Sequence, residues 1–257
     1  MNKFRTDIAV EDMNLGFVYD IDKQINGMVF KKLNVDETLS KKINKNVGLY
    51  YNIDNIRYEE VYDEVITLVH TVLKDILDSI KIDDKSNILI VGLGNDMITP
   101  DSLGPLSVKK VNVTSHIKDK ELKYNVSAII PGVMGKTGLE TSEIVKGLVN
   151  EFGFDLVIVI DALACSIPRR MCHSIQLSTA GINPGSGVGN NRKEISTKFL
   201  GIPVIAVGVP TVCDIDVFTK EFDKDFYVTP NNIDEAMLIL SDIISESINM
   251  TFEKDRI

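Results

Sequence analysis

The 257-residue chain has no tryptophan and only three histidines and three cysteines. Chemistry that depends on imidazole or thiolate groups therefore has little to draw on. Cys165, Cys172 and Cys213 stand at unrelated spacings, which gives no disulfide framework and no CxxC zinc signature and fits a reduced, cytoplasmic protein. No stretch approaches the roughly 18 unbroken apolar residues of a membrane span. The start, MNKFRTDIAVED, turns acidic too early for a secretory signal and has no apolar core. Positive charge is also scarce, with 28 Lys and Arg against 37 Asp and Glu. That excludes a surface built to grip nucleic acid directly, which needs clustered cations, and suits an enzyme acting on a basic protein or one released from DNA. With 44% hydrophobic and 25% charged residues the chain is neither disordered nor fibrous, and its length suits one large α/β domain or two small ones.

Proline is missing before Pro100, and only three glycines fall in the first 91 residues. The sharp turns are therefore concentrated in the middle of the chain. Residues 1–57 are polar and weakly periodic, with short strands expected around Gly27–Phe30 and Val47–Ile53. Residues 59–80 carry apolar side chains at 61, 62, 65, 66, 69, 72, 73, 76, 77 and 80, a helical stripe with Glu59 and Glu60 at its positive end. Asn87–Gly92, Val126–Ile130, Leu156–Ile160 and Val204–Gly208 are short β-branched apolar runs, the pattern of strands covered on both faces. Helix-like segments separate them at Ser102–His116 and Gly138–Phe152, and a last one runs from about Asn232 to Asn249. The expected fold class is α/β, a three-layer αβα sandwich on a mostly parallel sheet.

Four segments could carry chemistry. Val91–Pro105 (VGLGNDMITPDSLGP) joins a buried strand to a helix, at the carboxyl edge where ligands collect in open sheets. Its spacing is not GxGxxG, so a dinucleotide site is disfavoured. Asp101 reads either as a catalytic carboxylate or as a helix N-cap. Asp161 follows five apolar strand residues, where a buried carboxylate is costly unless paired or protonated. Asp101 and Asp161 thus share one sheet edge and could face each other across a cleft. Two such carboxylates keep one proton between them, so one activates water while the other donates to a carbonyl oxygen. This dyad needs no His, Cys, metal or cofactor.

The third segment, Pro131–Glu143, offers either backbone N–H groups for an anion or a tight turn before a helix. The fourth, Gly181–Glu194, holds four glycines in its first nine residues and then Arg192 and Lys193. It could cradle a substrate carboxylate or be a flexible surface loop, but it lacks the GK[ST] ending of a P-loop. Cys172 and His173 are adjacent, so on an extended strand they point to opposite faces and do not form a nucleophile–base pair. His70 and His116 read as a packed helix residue and a helix-end residue.

Taken in order, GLGNDMITPDSLGP, PGVMGKTGLETS, VIVIDALA, GINPGSGVGNNRKEIS and LGIPVIAVGVPTVCD, with RTDIAVE (Arg5–Glu11) before them, closely resemble the germination proteases of spore-forming bacteria. The resemblance covers most of residues 5–213 and the last helix. It implies an atypical aspartic endopeptidase with a fold like that of hydrogenase maturation endopeptidases, assembled as a homotetramer in the developing spore. It implies that the substrates are the small acid-soluble, DNA-coating spore proteins. The enzyme would be made as a zymogen that removes its own propeptide, residues 1–7, by cutting between Asp7 and Ile8. Residues 8–257 would then be one peptidase domain, with 8–57 as a small extension and 58–257 as the catalytic core. The family's two catalytic aspartates fall on Asp101 and Asp161, the pair already singled out.

Hydrolysis after an acidic residue calls for a cation in the substrate cleft, and Arg192 and Lys193 are expected there, with Arg169 or Arg170 in reserve. Asp214, in the PTV-x-D motif, has no assigned role, and the segment before the last helix is shorter than the family's. Two rivals remain: a metal-dependent maturation-type peptidase using the same carboxylates, and a non-catalytic sporulation protein on the same scaffold.

Overall fold

The computed structural model describes residues 6–13, 19–117, 122–189, 192–219 and 226–253. Strands β1 (Ile21–Ile25) and β2 (Met28–Val35) form a hairpin over Asn26 and Gly27, both at positive φ, the turn chemistry that asparagine–glycine pairs favour. After helix α1 (Glu37–Ile43), β3 (Gly48–Asp54) returns beside β2. The long stripe becomes α2 (Tyr58–Ile80), broken near its start by non-helical Val61, with Val65, Val69, Val72, Leu73, Ile76 and Leu77 buried.

Beyond it lie β4 (Asn87–Gly92), α3 (Leu103–Val108), β5 (Asn125–Ile129), α4 (Met134–Thr137) and α5 (Thr141–Phe152). Then come β6 (Leu156–Cys165), β7 (Ser174–Ser178), α6 (Thr197–Leu200), β8 (Val204–Asp214), β9 (Tyr227–Val228) and α7 (Ile233–Phe252).

All nine strands form one sheet in the order β1-β2-β3-β7-β8-β6-β4-β5, with β9 on β8. Parallel pairing is confined to β5, β4, β6 and β8, and everything from β8 outward through β7 to β1 is antiparallel. The expectation of a mostly parallel sheet is corrected accordingly. The N-terminal 8–57 stretch supplies three strands to the sheet, and hairpin-linked strands pair antiparallel.

Alternation explains the apolar runs. Ile88, Ile90, Leu156, Ile158 and Ile160 face a core completed by α2, α3 and α7. Leu89, Val91, Val157 and Val159 face the other side, where Val145 and Val149 of α5 and Leu200 of α6 meet them.

Two helices are shorter than expected. The 102–116 helix stops at Val108, because Asn249 of α7 takes the Asn112 N–H at 2.8 Å and donates to Lys110 C=O at 3.1 Å. These bonds turn the chain away, and Thr114 and Ser115 then bond to Val126 C=O beside β5. The 138–152 helix begins at Thr141, with α4 before it and Gly138 at φ +73° between the two. Among the described residues, no helix is long and apolar enough to cross a membrane.

Candidate active site

β6 runs five residues past Ile160, its last residue paired with β4, and Asp161 is the first residue of that extension. Its carboxylate is buried, and Oδ1 accepts the Ala162 N–H at 3.0 Å. Burial holds its pKa well above the ordinary carboxylate range, and the charges of Asp101 and Asp7 push it further the same way.

Asp101 ends a 3-10 turn (Thr99–Asp101) that three glycines and one threonine press against this spot. A methyl group on Gly92 would stand 2.4 Å from Gly104 C=O, and one on Gly104 would stand 2.6 Å from Ile160 C=O. Gly94, at φ +112°, lies so close that a methyl group would meet Asp101 C=O at 2.0 Å. Thr211 sits at the register irregularity between β6 and β8, and its hydroxyl donates to Pro100 C=O at 2.7 Å. Asp101 Oδ2 accepts the Asn95 N–H at 2.8 Å, so the side chain closes its own loop and caps no helix. Burial raises the Asp101 pKa to about 6, opposed by the Asn95 bond. The result is a partly buried acid raised to about 6 beside a buried one held well above the ordinary carboxylate range.

The N-terminal segment is seated on the same extension. Asp7 N–H donates to Ala164 C=O at 2.9 Å, and Ala164 N–H returns a bond to Asp7 Oδ2 at 2.9 Å. Ser186 Oγ donates to Asp7 Oδ1 at 2.6 Å, and Gly187 leaves the room, since a methyl group there would lie 2.2 Å from Asp7 Oδ2. Ile8 and Ala9 are fully buried, and Ala9–Met13 form a 3-10 turn. Gln176 of β7 spans the Asp7–Ile8 junction. Its Nε2 donates to Asp7 C=O at 3.3 Å, and its Oε1 accepts the Ala9 N–H at 2.8 Å. Across the sheet Gln176, Gly208 and Asp161 are in register on neighbouring strands, so Gln176 and Asp161 share a face with only a glycine between them. A cavity of about 560 Å³ opens on the Thr6–Asp7 side, lined by Tyr50, Gln176, Ser178, Gly208 and Arg192 among others.

Comparison with known proteins decides the family. Residues 5–223 match the model for germination proteases. The germination protease of Oceanobacillus iheyensis is 42% identical over 86% of this chain and 69% of its own length. That of Clostridium perfringens is 38% identical over 91% of this chain and 82% of its own, and that of Clostridium tetani 35% over 97% and 95%. The chain belongs to the germination protease family. The Clostridium tetani alignment extends over 309 positions, so that relative of the 257-residue protease carries additional residues inside the matched span.

Within this protease the expected cations stand elsewhere than on Asp7. Arg192 borders the cavity, but Nη1 lies 4.0 Å from Glu140 Oε1 and 3.4 Å from Met134 Sδ. Lys193 is held by Glu143 at 2.6 Å. The Pro131–Glu143 segment thus supplies partners for the fourth loop. The Asp7 carboxylate takes a neutral hydroxyl and a backbone N–H, because β6 presents Ala164 and the glycine-rich turn presents Ser186 at that point. Arg170, the reserve, reaches Glu11 and Asp54. Arg5 lies outside the described residues.

His173 Nδ1 bonds Ile56 C=O at 2.7 Å and its ring stacks on Tyr58. Cys172 is buried, which pushes its thiol up to about 12. Asp214 Oδ1 accepts the Asp216 N–H at 2.9 Å and caps the 3-10 turn Ile215–Val217, a structural task. Among the described residues, no group of three or more His, Cys, Asp and Glu side chains is placed to hold a metal ion. Gln176, Ser186 and Thr211 escaped the sequence reading, since isolated polar residues inside strands and turns carry no spacing signal.

Proposed function

We propose that this protease is an aspartate-dyad endopeptidase that cuts its own chain between Asp7 and Ile8 and then cuts small acid-soluble spore proteins after acidic residues. The observation that supports this most is the seating of Asp7, the residue before the proposed cut, where its charge and that of the partly buried Asp101 both act on the buried Asp161. The family's zymogen processing, homotetramer and spore-core location are part of the proposal. So are a layered fold like that of hydrogenase maturation endopeptidases and the division into residues 1–7 and 8–257.

In this reading Asp101, which ionises first, takes a proton from water as the oxygen attacks the Asp7 carbonyl carbon. Protonated Asp161 donates to the carbonyl oxygen, giving a neutral tetrahedral diol. The C–N bond then breaks as Asp101 passes its proton to the Ile8 nitrogen, and a diol hydroxyl returns a proton to Asp161. Gln176 Nε2 is aimed at the same carbonyl oxygen and supplies a second, neutral donor. Ser186 and the Ala164 N–H fix the acidic side chain before the cut.

Gln176→Met keeps the length of the side chain and removes both polar contacts. It should lower kcat for a peptide of residues 2–16 by about 100-fold, as loss of one oxyanion donor does, and the buried Ala9 N–H that it leaves unpaired should cost about 1–3 kcal/mol of stability. Ser186→Ala should raise KM about tenfold for peptides with Asp or Glu before the cut. An unchanged KM would remove Ser186 from the model. Activity should follow a bell-shaped pH profile whose acidic limb lies near the Asp101 pKa of about 6. EDTA separates this reading from a metal-dependent peptidase, because the dyad mechanism is indifferent to it.

A further inference from the structure

The peptide group joining Thr6 to Asp7 is held at both of its polar atoms, by two separate elements. Its N–H donates to Ala164 C=O of β6 at 2.9 Å. Its C=O accepts from Lys45 Nζ at 2.5 Å, and Lys45 lies in the turn between α1 and β3. The next carbonyl along, that of Asp7, is the one that Gln176 Nε2 meets. A hydrogen bond to a main-chain carbonyl reads no side chain, and one from a charged donor is worth more than one from a neutral donor.

Lys45 is set in place without help from Thr6. α1 ends at Ile43, whose side chain is buried in a cluster with Leu33, Val35 and Tyr50. Asn44 then takes a left-handed φ of +53°, which turns the chain away from the helix axis. Ser40 Oγ donates to Lys45 C=O at 2.7 Å, and the Tyr50 hydroxyl donates to Asn46 C=O at 2.9 Å. The main chain around Lys45 is thus pinned on both sides. Lys45, Asn46 and Tyr50 line one part of the cavity of about 560 Å³, and Gln176, Ser178 and Arg192 line another. A lysine on a fixed backbone is a point charge on a flexible stem, so it can follow a carbonyl that shifts slightly from one substrate to the next.

We propose that Lys45 is a substrate-binding residue, a clamp on the main-chain carbonyl of the second residue before the cut. The turn after α1 is then one wall of the substrate cleft as well as part of the sheet's packing. The proposal rests on the reading that the chain is cut between Asp7 and Ile8, which makes Thr6 that second residue. Gripped at its C=O by Lys45 and at its N–H by Ala164, the Thr6–Asp7 peptide plane is fixed. The Asp7 side chain is fixed as well, by Ser186 Oγ and the Ala164 N–H. The residue before the cut therefore keeps one orientation, which is what a carbonyl awaiting attack requires. The labour is divided: Ser186 and Ala164 read the acidic side chain, and Lys45 secures the backbone before it whatever side chain that residue carries.

The test uses the full chain, left to process, and two peptides. One is residues 7–16 acetylated at Asp7, so that the acetyl C=O stands where that of Thr6 does. The other is residues 8–16 carrying a succinyl group, which keeps the carboxylate and the scissile carbonyl but offers Lys45 no acceptor. The acetyl peptide should show kcat/KM about 10- to 100-fold higher, mostly through KM, as a hydrogen bond from a charged donor dictates. In Lys45→Met that advantage should shrink several-fold, and Lys45→Arg should restore part of it. Each ratio is taken within one enzyme, so a general loss of activity or stability cancels. Deuterium exchange of the Asp7 N–H, followed in the full chain carrying Asp161→Asn, needs no cutting. Lys45→Met should speed it several-fold, because that N–H belongs to the gripped peptide group. The peptide ratio decides if the peptides are cut, and the exchange rate decides if they are not. An advantage of the acetyl peptide that survives intact in Lys45→Met would overturn the clamp and leave the hydrolysis reading standing. Faster exchange with no peptide cut would support the clamp and overturn the hydrolysis reading. No cutting and unchanged exchange would overturn both.

Discussion

The Asp161→Asn chain is expected to retain residues 1–7 and to melt at a higher temperature than the parent at neutral pH. In the proposed mechanism this acid is the proton donor to the scissile carbonyl, so rates of self-cleavage and peptide hydrolysis should fall by at least about 10³-fold. Stability should move the other way. A carboxyl whose folded pKa is raised stabilises the fold only while protonated, below its unfolded pKa, and that contribution is lost as pH rises through the folded value. Asp161 is raised by burial and by two neighbouring carboxylates, and Asp101 is raised by burial to about 6. Asparagine has no such penalty at any pH.

The gain in melting temperature should therefore be absent near pH 4 and grow toward neutrality. For Asp101→Asn the shift from 3.8 to about 6 corresponds to about 3 kcal/mol, reached above pH 6. A structural aspartate would behave oppositely, its loss costing stability at pH 7. Thermal melts of both variants between pH 4 and 8, read with the peptide assay, separate the two cases.

Gly104→Ala should damage the site from a position that bears no functional group. The added methyl would stand 2.3 Å from Leu93 C=O, 2.5 Å from Leu93 N and 2.6 Å from Ile160 C=O. All three are backbone atoms, and the Leu93 N–H to Ile160 C=O bond at 2.8 Å lies between them. No side-chain rotation relieves the clash, so the cost should reach the upper end of overpacking, about 3 kcal/mol. For a chain of this size that is a fall of roughly 6–12 °C in melting temperature. The loop carrying Asp101 must also shift from the strand carrying Asp161, and a displacement of about 1 Å costs about 100-fold in kcat. KM should change little, because Ala164 and Ser186 are untouched. Gly147→Ala is the control: it lies inside α5 with nothing within 4 Å, and it should stabilise the helix by about 1 kcal/mol. Equal effects of the two substitutions would refute the packing account.

The two aspartates were legible because each follows a buried strand, and position at a sheet edge is written in hydrophobic runs. β4 came out with its observed limits and α2 within one residue, since both carry a strong period. β7 left only a short trace. Its residues Ser174, Ile175, Gln176, Leu177 and Ser178 alternate polar and apolar over one brief run, the pattern of a strand with one side in water, whereas all five are buried. The antiparallel half of the sheet was lost with it, because β7 is what links β3 to β8. Arg192 and Lys193 drew attention as the cations nearest a glycine-rich loop. Charge in sequence does not reveal that Glu140 and Glu143 already engage them, nor that a serine and a main-chain N–H receive the acid. The seated N-terminal segment could be named as a cut site from its resemblance alone. That Lys45 reaches the Thr6 carbonyl emerges only when the turn after α1 is brought beside β6.

Intact-mass spectrometry of the purified full chain over time, beside its Asp101→Asn and Asp161→Asn variants and with an EDTA arm, tests the central claim most directly. The account predicts a single product beginning at Ile8 from the parent alone, formed at the same rate with and without EDTA. Loss of residues 1–7 from the Asp161→Asn chain, or a cut that EDTA abolishes, would contradict it.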